Sequence, residues 1–112
     1  MPNNQRQYER VSTSQPTIIL HHQHEDTGKM IDISAQGSGV IANAPVLEGE
    51  NVKLKFTLPT HAIHSPFEIS GKVVHSNKVR QQYLVGIVFD TINPSYESAI
   101  REFISNHHSM RD

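Results

Sequence analysis

The sequence contains no cysteine, and only 6% of its 112 residues are aromatic. Without cysteine, the chain has neither a disulfide framework nor thiol chemistry. No apolar run approaches the roughly 18 residues that a membrane-spanning helix needs, so we expect no direct membrane insertion. The N-terminus lacks the apolar core of a signal peptide, which favours a cytoplasmic location.

Charge is also scarce in this chain. Charged residues make up 19% of the sequence, and the formal net charge is −1. A nucleic-acid polymer is normally gripped by a surplus of positive charge, and single strands also need clustered aromatic rings. We therefore expect no nucleic-acid polymer as a partner, although small barrels that bind oligonucleotides remain an alternative. Any binding site for an anion must be local.

The length and the distribution of polar residues indicate one domain with three parts. Residues 1–15 are dominated by Asn, Gln, Ser and Thr, which is typical of a flexible arm without a core of its own. Residues 16–92 carry the strand patterns and are predicted to form the barrel. Residues 93–112 form a C-terminal helix and tail.

Six short apolar runs between residues 16 and 92 predict six strands. The clearest alternates Val52, Leu54 and Phe56 with polar residues, as a half-buried antiparallel strand does. Turn signals at Glu25–Gly28 and Ser76–Lys78 predict two hairpins. The six predicted strands cover Thr17–Leu20, Lys29–Ser34, Val40–Ala42, Val52–Leu58, Phe67–His75 and Tyr83–Phe89.

The apolar period changes after Asn93, which is a good helix cap and is followed by Pro94. One apolar stripe then recurs at helical spacing, at Tyr96, Ala99, Ile100, Phe103 and Ile104. Together these patterns predict an all-β fold with one helix. We expect a six-stranded antiparallel barrel with a C-terminal α-helix that covers one open end or flank.

Two short motifs carry the chemistry of the sequence. The first is RxxxR, formed by Arg6 and Arg10, and the second is DxSxxG, formed by Asp32, Ser34 and Gly37. Arginine presents a planar fork of donors that fits phosphate and the edge of guanine. The carboxylate can accept from guanine, the hydroxyl can donate or accept, and glycine permits a tight turn or a close approach of the backbone. Either motif alone is also common by chance, and DxSxxG alone is an ordinary turn.

The two motifs in this order resemble the PilZ domain family, bacterial receptors for the second messenger cyclic di-GMP. The resemblance extends from about Gln5 to Phe103 and includes the last predicted strand, Tyr83–Phe89. It implies a six-stranded barrel with RxxxR before the first strand and DxSxxG at the end of the second. It also implies a receptor that is not an enzyme and that passes its signal to a protein effector or an attached domain.

By this resemblance, Arg6 and Arg10 contact guanine and phosphate of cyclic di-GMP, Asp32 and Ser34 contact guanine, and Gly37 shapes the loop. Many family members carry a further arginine where this chain has Gln5, so one or two ligands per site and a monomer or a ligand-linked dimer remain open. Family outputs include motility, exopolysaccharide synthesis, biofilm and pilus function. The sequence does not choose among them, nor between a whole protein and a domain of a larger one.

Three other interpretations fit parts of the sequence. A PilZ-like adaptor that binds protein partners but no nucleotide is the main alternative. A hydrolase is disfavoured because no GxSxG elbow is present. A metal site is suggested only by the spacing of His21, His22 and His24, which we interpret as a solvent-facing strand end. We therefore predict no catalytic residue, no metal and no cofactor besides the ligand.

Overall fold

The computed structural model describes residues 9–61 and 63–111 of the chain. This part of the chain forms six strands followed by one helix, in the predicted order. The elements are β1 (Val11–His21), β2 (His24–Ile33), β3 (Gly37–Ala42), β4 (Asn51–Phe56), β5 (Phe67–Val79), β6 (Gln82–Phe89) and α1 (Pro94–Arg111).

The six strands close into one barrel with the order β1-β2-β3-β6-β5-β4, and every neighbouring pair is antiparallel. Closure removes the exposed sheet edges that would otherwise invite aggregation. The predicted fold class, an antiparallel six-stranded barrel with a C-terminal helix, is confirmed.

The core lies inside the barrel and follows the alternation of the sequence. On β4, the side chains of Val52, Leu54 and Phe56 are buried, whereas the intervening Lys53 is exposed. Every second residue of a strand faces the same side, so the period-two pattern correctly predicted this strand's inner face.

Helix α1 begins as predicted and packs its apolar stripe against the barrel. The side chain of Asn93 accepts a hydrogen bond of 2.7 Å from the backbone N–H of Ser95 and so caps the helix. The ring of Tyr96 lies 4.9 Å from that of Phe67, and Phe67 in turn stacks on Phe56 at 5.1 Å. The other four stripe residues, Ala99, Ile100, Phe103 and Ile104, are buried in the same core.

Strand β1 begins at Val11, five residues before the predicted start of the barrel. Residues 11–15, assigned to the arm by sequence, therefore belong to the sheet. Their polar composition and the following Pro16 gave no strand signal in the sequence. Strand β4 pairs with β1 only from Thr17 onward, so Pro16 occupies an edge position, where the missing N–H is tolerated. The arm assignment of residues 1–8 lies outside the described residues.

Both predicted hairpin turns were misplaced. The β1–β2 turn is formed by His22 and Gln23, with φ of 48° and 65°, and the predicted turn at Glu25–Gly28 lies inside β2. The β5–β6 turn follows Val79, with Arg80 at φ 61°, and so the predicted turn at Ser76–Lys78 lies inside β5. Positive φ favours Asn or Gly, so sequence rules had no reason to choose these residues.

The remaining differences are small. The register of β5 against β6 shifts between Val73 and His75. Strand β4 ends at Phe56 rather than Leu58, although Leu58 is still buried. The shift on β5 changes which side chains reach the outer face beside the candidate site.

Candidate functional site

The DxSxxG motif spans the connection between β2 and β3. Asp32 lies near the end of β2, and Gly37 is the first residue of β3. The backbone N–H of Ser34 donates to the carbonyl of Gly37 at 2.9 Å and closes the turn. The Ser34 hydroxyl oxygen accepts from the N–H groups of Gln36 and Gly37, both at 3.1 Å. The motif therefore first builds a tight turn.

Ser34 is 1% exposed, so its side chain lies under the surface rather than on it. Its hydroxyl satisfies backbone donors that would otherwise be unpaired in the turn. The contact of Ser34 with guanine, which the family resemblance implies, stays a prediction. In this structure, the hydroxyl holds the loop that carries the outer-face residues.

Gly37 is buried at the point where β3 meets β6. A Cβ atom on Gly37 would overlap the carbonyl oxygen of Ile87 and would stand 3.3 Å from the Cα of Val88. Both neighbours belong to the backbone of β6, which cannot rotate away. Glycine is therefore required here by strand-to-strand approach, a role beyond the loop shaping expected from the motif.

Asp32 is the motif residue whose side chain reaches the outer face, and its side chain is 26% exposed. Carboxylate oxygen Oδ1 accepts from the backbone N–H of Gly39 at 2.7 Å and from Arg10 at 2.8 Å. The Asp32 carbonyl accepts from the hydroxyl of Ser38, which is buried. The carboxylate is thus held in place by β3 and faces Arg10.

Arg10 directly precedes β1, and the pairing of Val11 with Ile33 and of Ser12 with Asp32 brings it beside the end of β2. Its side chain is 53% exposed, so the ion pair with Asp32 lies at the surface. Such pairs stabilise a fold by about 0–1 kcal/mol. Arg6 lies outside the described residues. The structure therefore joins one arginine of the first motif to the acid of the second.

Gly39 adjoins the Asp32 carboxylate but belongs to neither sequence motif. A Cβ atom on Gly39 would lie 3.0–3.3 Å from the Asp32 carboxyl group, so the missing side chain makes room for that carboxylate. The sequence Gly37-Ser38-Gly39 could have indicated this, because residues two apart on a strand face the same side and both of these are glycine. Small residues at both positions keep the outer face of β3 flat beside Asp32.

A flat outer face with an acid and an arginine at its margin suits a planar, anionic ligand. A carboxylate accepts from the N–H groups along the edge of a base, and a guanidinium binds phosphate or stacks on a ring. Neither group is paired with a nucleophile or a base in a way that indicates catalysis. The arrangement is suited to the recognition of such a ligand.

The histidine cluster lies at the β1–β2 turn, at the other end of the hairpin. His21 is 9% exposed, and its ring nitrogens face the carboxylates of Asp26 and of Glu50, the latter at 3.2 Å. His22 lies 3.2 Å from the other oxygen of Glu50, and His24 is exposed. The interpretation as a solvent-facing strand end was therefore wrong for His21. No group of three potential ligands within residues 9–61 and 63–111 is arranged to hold a metal ion.

Comparisons with known proteins agree with this geometry. The family model of the PilZ domain matches residues 4–106 of the chain. No curated protein matches the sequence. No helix within the described ranges is both long and apolar enough to cross a membrane.

Solved structures share the fold at low sequence identity. The Bacillus subtilis inhibitor of motility MotI has a TM-score of 0.81 and 18% identity, over 100% of this chain and 55% of that one. Escherichia coli YcgR in complex with cyclic di-GMP has a TM-score of 0.75 and 16% identity, over 93% and 46% of the two chains. The isolated PilZ domain of YcgR with cyclic di-GMP has a TM-score of 0.70 and 13% identity, over 93% and 92%.

The chain thus spans about half the length of MotI and of the longer YcgR chain. A family match over 103 of 112 residues, from 4 to 106, covers both motifs and the whole barrel. The chain belongs to the PilZ domain family.

Proposed function

We propose that this chain is a receptor for cyclic di-GMP and has no enzymatic activity of its own. The observation that carries the proposal is the contact of Arg10 with Asp32, which places one residue of each motif on the same outer face at 2.8 Å. Two structures with the same fold contain cyclic di-GMP, both of them YcgR proteins. The donors and acceptors on this face match a ligand with two guanines and two phosphates.

The ion pair between Arg10 and Asp32 must rearrange when the ligand binds. Oxygen Oδ1 of Asp32 is shared by Arg10 and the N–H of Gly39, so the carboxylate stays anchored to β3 if Arg10 leaves. Breaking an exposed ion pair costs at most about 1 kcal/mol, equivalent to roughly fivefold in affinity. Arg10 then turns to a phosphate or a guanine, and Asp32 accepts from a guanine edge.

The remaining motif residues have two different roles in this proposal. Ser34 and Gly37 hold the β2–β3 turn, and Arg6 joins Arg10 when the N-terminal arm closes over the ligand. Because Val11 is already paired with Ile33, the closing segment is confined to residues 1–10. Ordering this segment opposes binding entropically and also creates a composite surface of protein and nucleotide. A protein effector, an attached domain or a second copy reads that surface.

Isothermal titration calorimetry of the whole chain with cyclic di-GMP tests the proposal. We expect saturable binding at micromolar or tighter affinity, and the ratio at saturation decides between one ligand and two. Arg10→Ala should abolish the heat without lowering the melting temperature. Arg101→Ala is a matched control, because Arg101 is 52% exposed and forms one ion pair, with Glu97 at 3.0 Å on helix α1.

Retained micromolar binding by the Arg10→Ala variant would overturn the assignment of the site. A folded wild-type chain that gives no heat at high concentration would instead favour the alternative, an adaptor barrel that binds protein partners without nucleotide. Equal loss of binding in both arginine variants would indicate a general charge effect rather than a specific contact.

A further inference from the structure

Strand β1 presents apolar residues on the outside of the barrel as well as on the inside. The odd-numbered residues 17–21 are buried, so the residues that alternate with them, Pro16, Ile18 and Leu20, point outward. Pro16 is exposed, and Ile18 and Leu20 are half-buried. A strand of an antiparallel sheet normally places polar residues on its solvent side. We call these three outward residues the apolar row.

Each residue of the apolar row lies directly opposite a lysine on a neighbouring strand. The three pairs are Pro16 with Lys29 on β2, and Ile18 with Lys55 and Leu20 with Lys53 on β4. Directly paired residues of antiparallel strands point to the same side of the sheet. This part of the barrel surface therefore has an apolar centre and a positively charged margin. We call the apolar row and its three lysines the basic face.

The fold does not use the three lysines of the basic face. None of them forms an ion pair with another residue of the described ranges, and Lys55 forms none even with Glu68, directly opposite on β5. They do not protect a sheet edge, because β4 is paired with β1 on one side and with β5 on the other. Together with Lys72 on β5, four outward lysines face only two acids, Glu25 and Glu68, although the whole chain has a formal net charge of −1. The positive charge is therefore local.

An open groove lies beside Ile18 on the basic face. It has a volume of about 320 Å³, and its lining includes Pro16, Ile18, Lys55, Phe56 and Pro66. The ring of Phe56 is 3% exposed, so the groove is recessed towards the core. This volume is near the lower end of the range of small-molecule sites, about 300–1,000 Å³, and so suits a single large side chain.

We propose that the basic face is a docking surface for an acidic segment of a partner protein. The partner inserts one large apolar side chain into the groove and sets carboxylates against Lys29, Lys53 and Lys55. Protein interfaces commonly bury such an anchor at their centre and surround it with a polar rim, and unpaired lysines select a partner of opposite charge. The docking surface does not depend on the proposed receptor function. The apolar row begins six residues after Arg10, or about 20 Å along β1.

Two other anionic partners fit the basic face less well. A membrane surface is bound by apolar side chains that reach past the charged groups into the lipid, whereas Ile18 and Leu20 are half-buried. A single nucleic-acid strand is bound by aromatic rings on which bases stack, whereas the aromatic ring of the groove, Phe56, is buried. A recessed apolar site between lysines favours a protein segment.

Selection of random peptides displayed on phage, with the whole chain as the target, tests the proposal. We expect the enriched peptides to carry acidic residues on both sides of one large apolar residue. A synthetic copy of an enriched peptide should shift the NMR amide signals of Ile18 and Lys55 and leave that of Gly39 unchanged. Its affinity should fall as the salt concentration rises, because salt screens exposed charges.

Variants of the basic face separate its two components. Lys53→Thr combined with Lys55→Thr removes two charges and keeps strand propensity, so the chain should stay folded by thermal unfolding. The Kd for the peptide should rise about tenfold, which two exposed ion pairs can account for, and its salt dependence should weaken. Ile18→Thr should raise the Kd about tenfold as well, equivalent to roughly two buried methylene groups, with the salt dependence unchanged. Lys78→Thr is the matched control, at an exposed lysine opposite Tyr83, and should bind the peptide like the wild type.

The outcomes that overturn the docking surface are distinct from those that concern cyclic di-GMP. Enriched peptides without acidic residues, or equal affinity of the wild type and the double lysine variant, overturn the proposal. An equal loss in Lys78→Thr would show a general charge effect and would also overturn it. Sedimentation of the chain with phosphatidylglycerol vesicles, lost in the double variant and without any peptide enrichment, would assign the face to a lipid surface instead. None of these results bears on the titration with cyclic di-GMP.

Discussion

Replacing Gly37 by alanine tests whether the glycine of the motif serves the fold. The new methyl group would overlap the carbonyl oxygen of Ile87 and approach the Cα of Val88 to 3.3 Å. Because both atoms belong to the β6 backbone, β3 and β6 must separate where Gly37 pairs with Val88. Forced overpacking of this kind costs about 1–3 kcal/mol of unfolding free energy.

The expected change in melting temperature follows from the chain length. Loss of glycine's freedom in the unfolded chain offsets about 0.4–1 kcal/mol, which leaves a net destabilisation of about 1–2 kcal/mol. An unfolding entropy of about 2.1 cal/mol/K per residue over 112 residues is about 0.24 kcal/mol/K, so each kcal/mol lowers the melting temperature by about 4 °C. Gly37→Ala should therefore melt about 4–8 °C below the wild type.

Gly39→Ala is the matched control on the same strand and the same face. Its nearest contacts are the carboxyl atoms of Asp32 at 3.0–3.3 Å, which need to shift by only a few tenths of an ångström and can keep their hydrogen bonds to Gly39 and Arg10. Its melting temperature should stay within about 2 °C of the wild type, half of the change that 1 kcal/mol produces. Thermal unfolding followed by circular dichroism compares the two variants, and equal melting temperatures would refute the backbone-contact argument. The unfolded-state effect is common to both variants, so it cancels in the comparison.

Two further predictions concern buried polar groups, and urea unfolding measures both. Ser34→Ala removes the acceptor of two backbone N–H groups and should lower the unfolding free energy by about 1–2 kcal/mol. Ser14 is exposed, so Ser14→Ala should leave the unfolding free energy unchanged. Equal stability of the two variants would contradict a structural role for the Ser34 hydroxyl. His21→Leu leaves the carboxylates of Asp26 and Glu50 without their shared partner and should lower the unfolding free energy by about 2 kcal/mol. His22→Ala, at a side chain that is 68% exposed, should cost less than about 0.5 kcal/mol, and a larger cost there than at His21 would refute the argument.

The residues of the DxSxxG motif differ in whether they lie on the outer face or are buried. Of the three residues that define the DxSxxG motif, only Asp32 has a partly exposed side chain. Ser34 is buried in the turn, and Gly37 is buried against β6. We therefore expect substitutions at the buried positions to lower stability and, under the proposed function, to lower binding as well. Under the proposed function, a variant whose melting temperature is expected to be unchanged, such as Arg10→Ala, tests ligand contact separately from stability.

The fold class could be predicted from the sequence because the patterns that indicate its strands and helix lie within short segments. Alternation on β4 identified a buried face, and Asn93 with the stripe after it identified the helix. The hairpin turns were not readable, because His22, Gln23 and Arg80 adopt positive φ without being glycine or asparagine. The pairing of the flanking strands selects those turn conformations, and turn rules based on a few neighbouring residues do not include that pairing.

For the candidate site, the sequence by itself determined the residue types and their order: two spaced arginines, then one acid, one hydroxyl and one glycine. Only the tertiary structure decided which of them have side chains on the outer face of the barrel. Barrel closure buries Ser34 and Gly37 and sets Arg10 against Asp32. The physical reason is that strand register, including the bulge on β5, assigns each side chain to the core or to the outer face. Register is a property of paired strands rather than of any single segment.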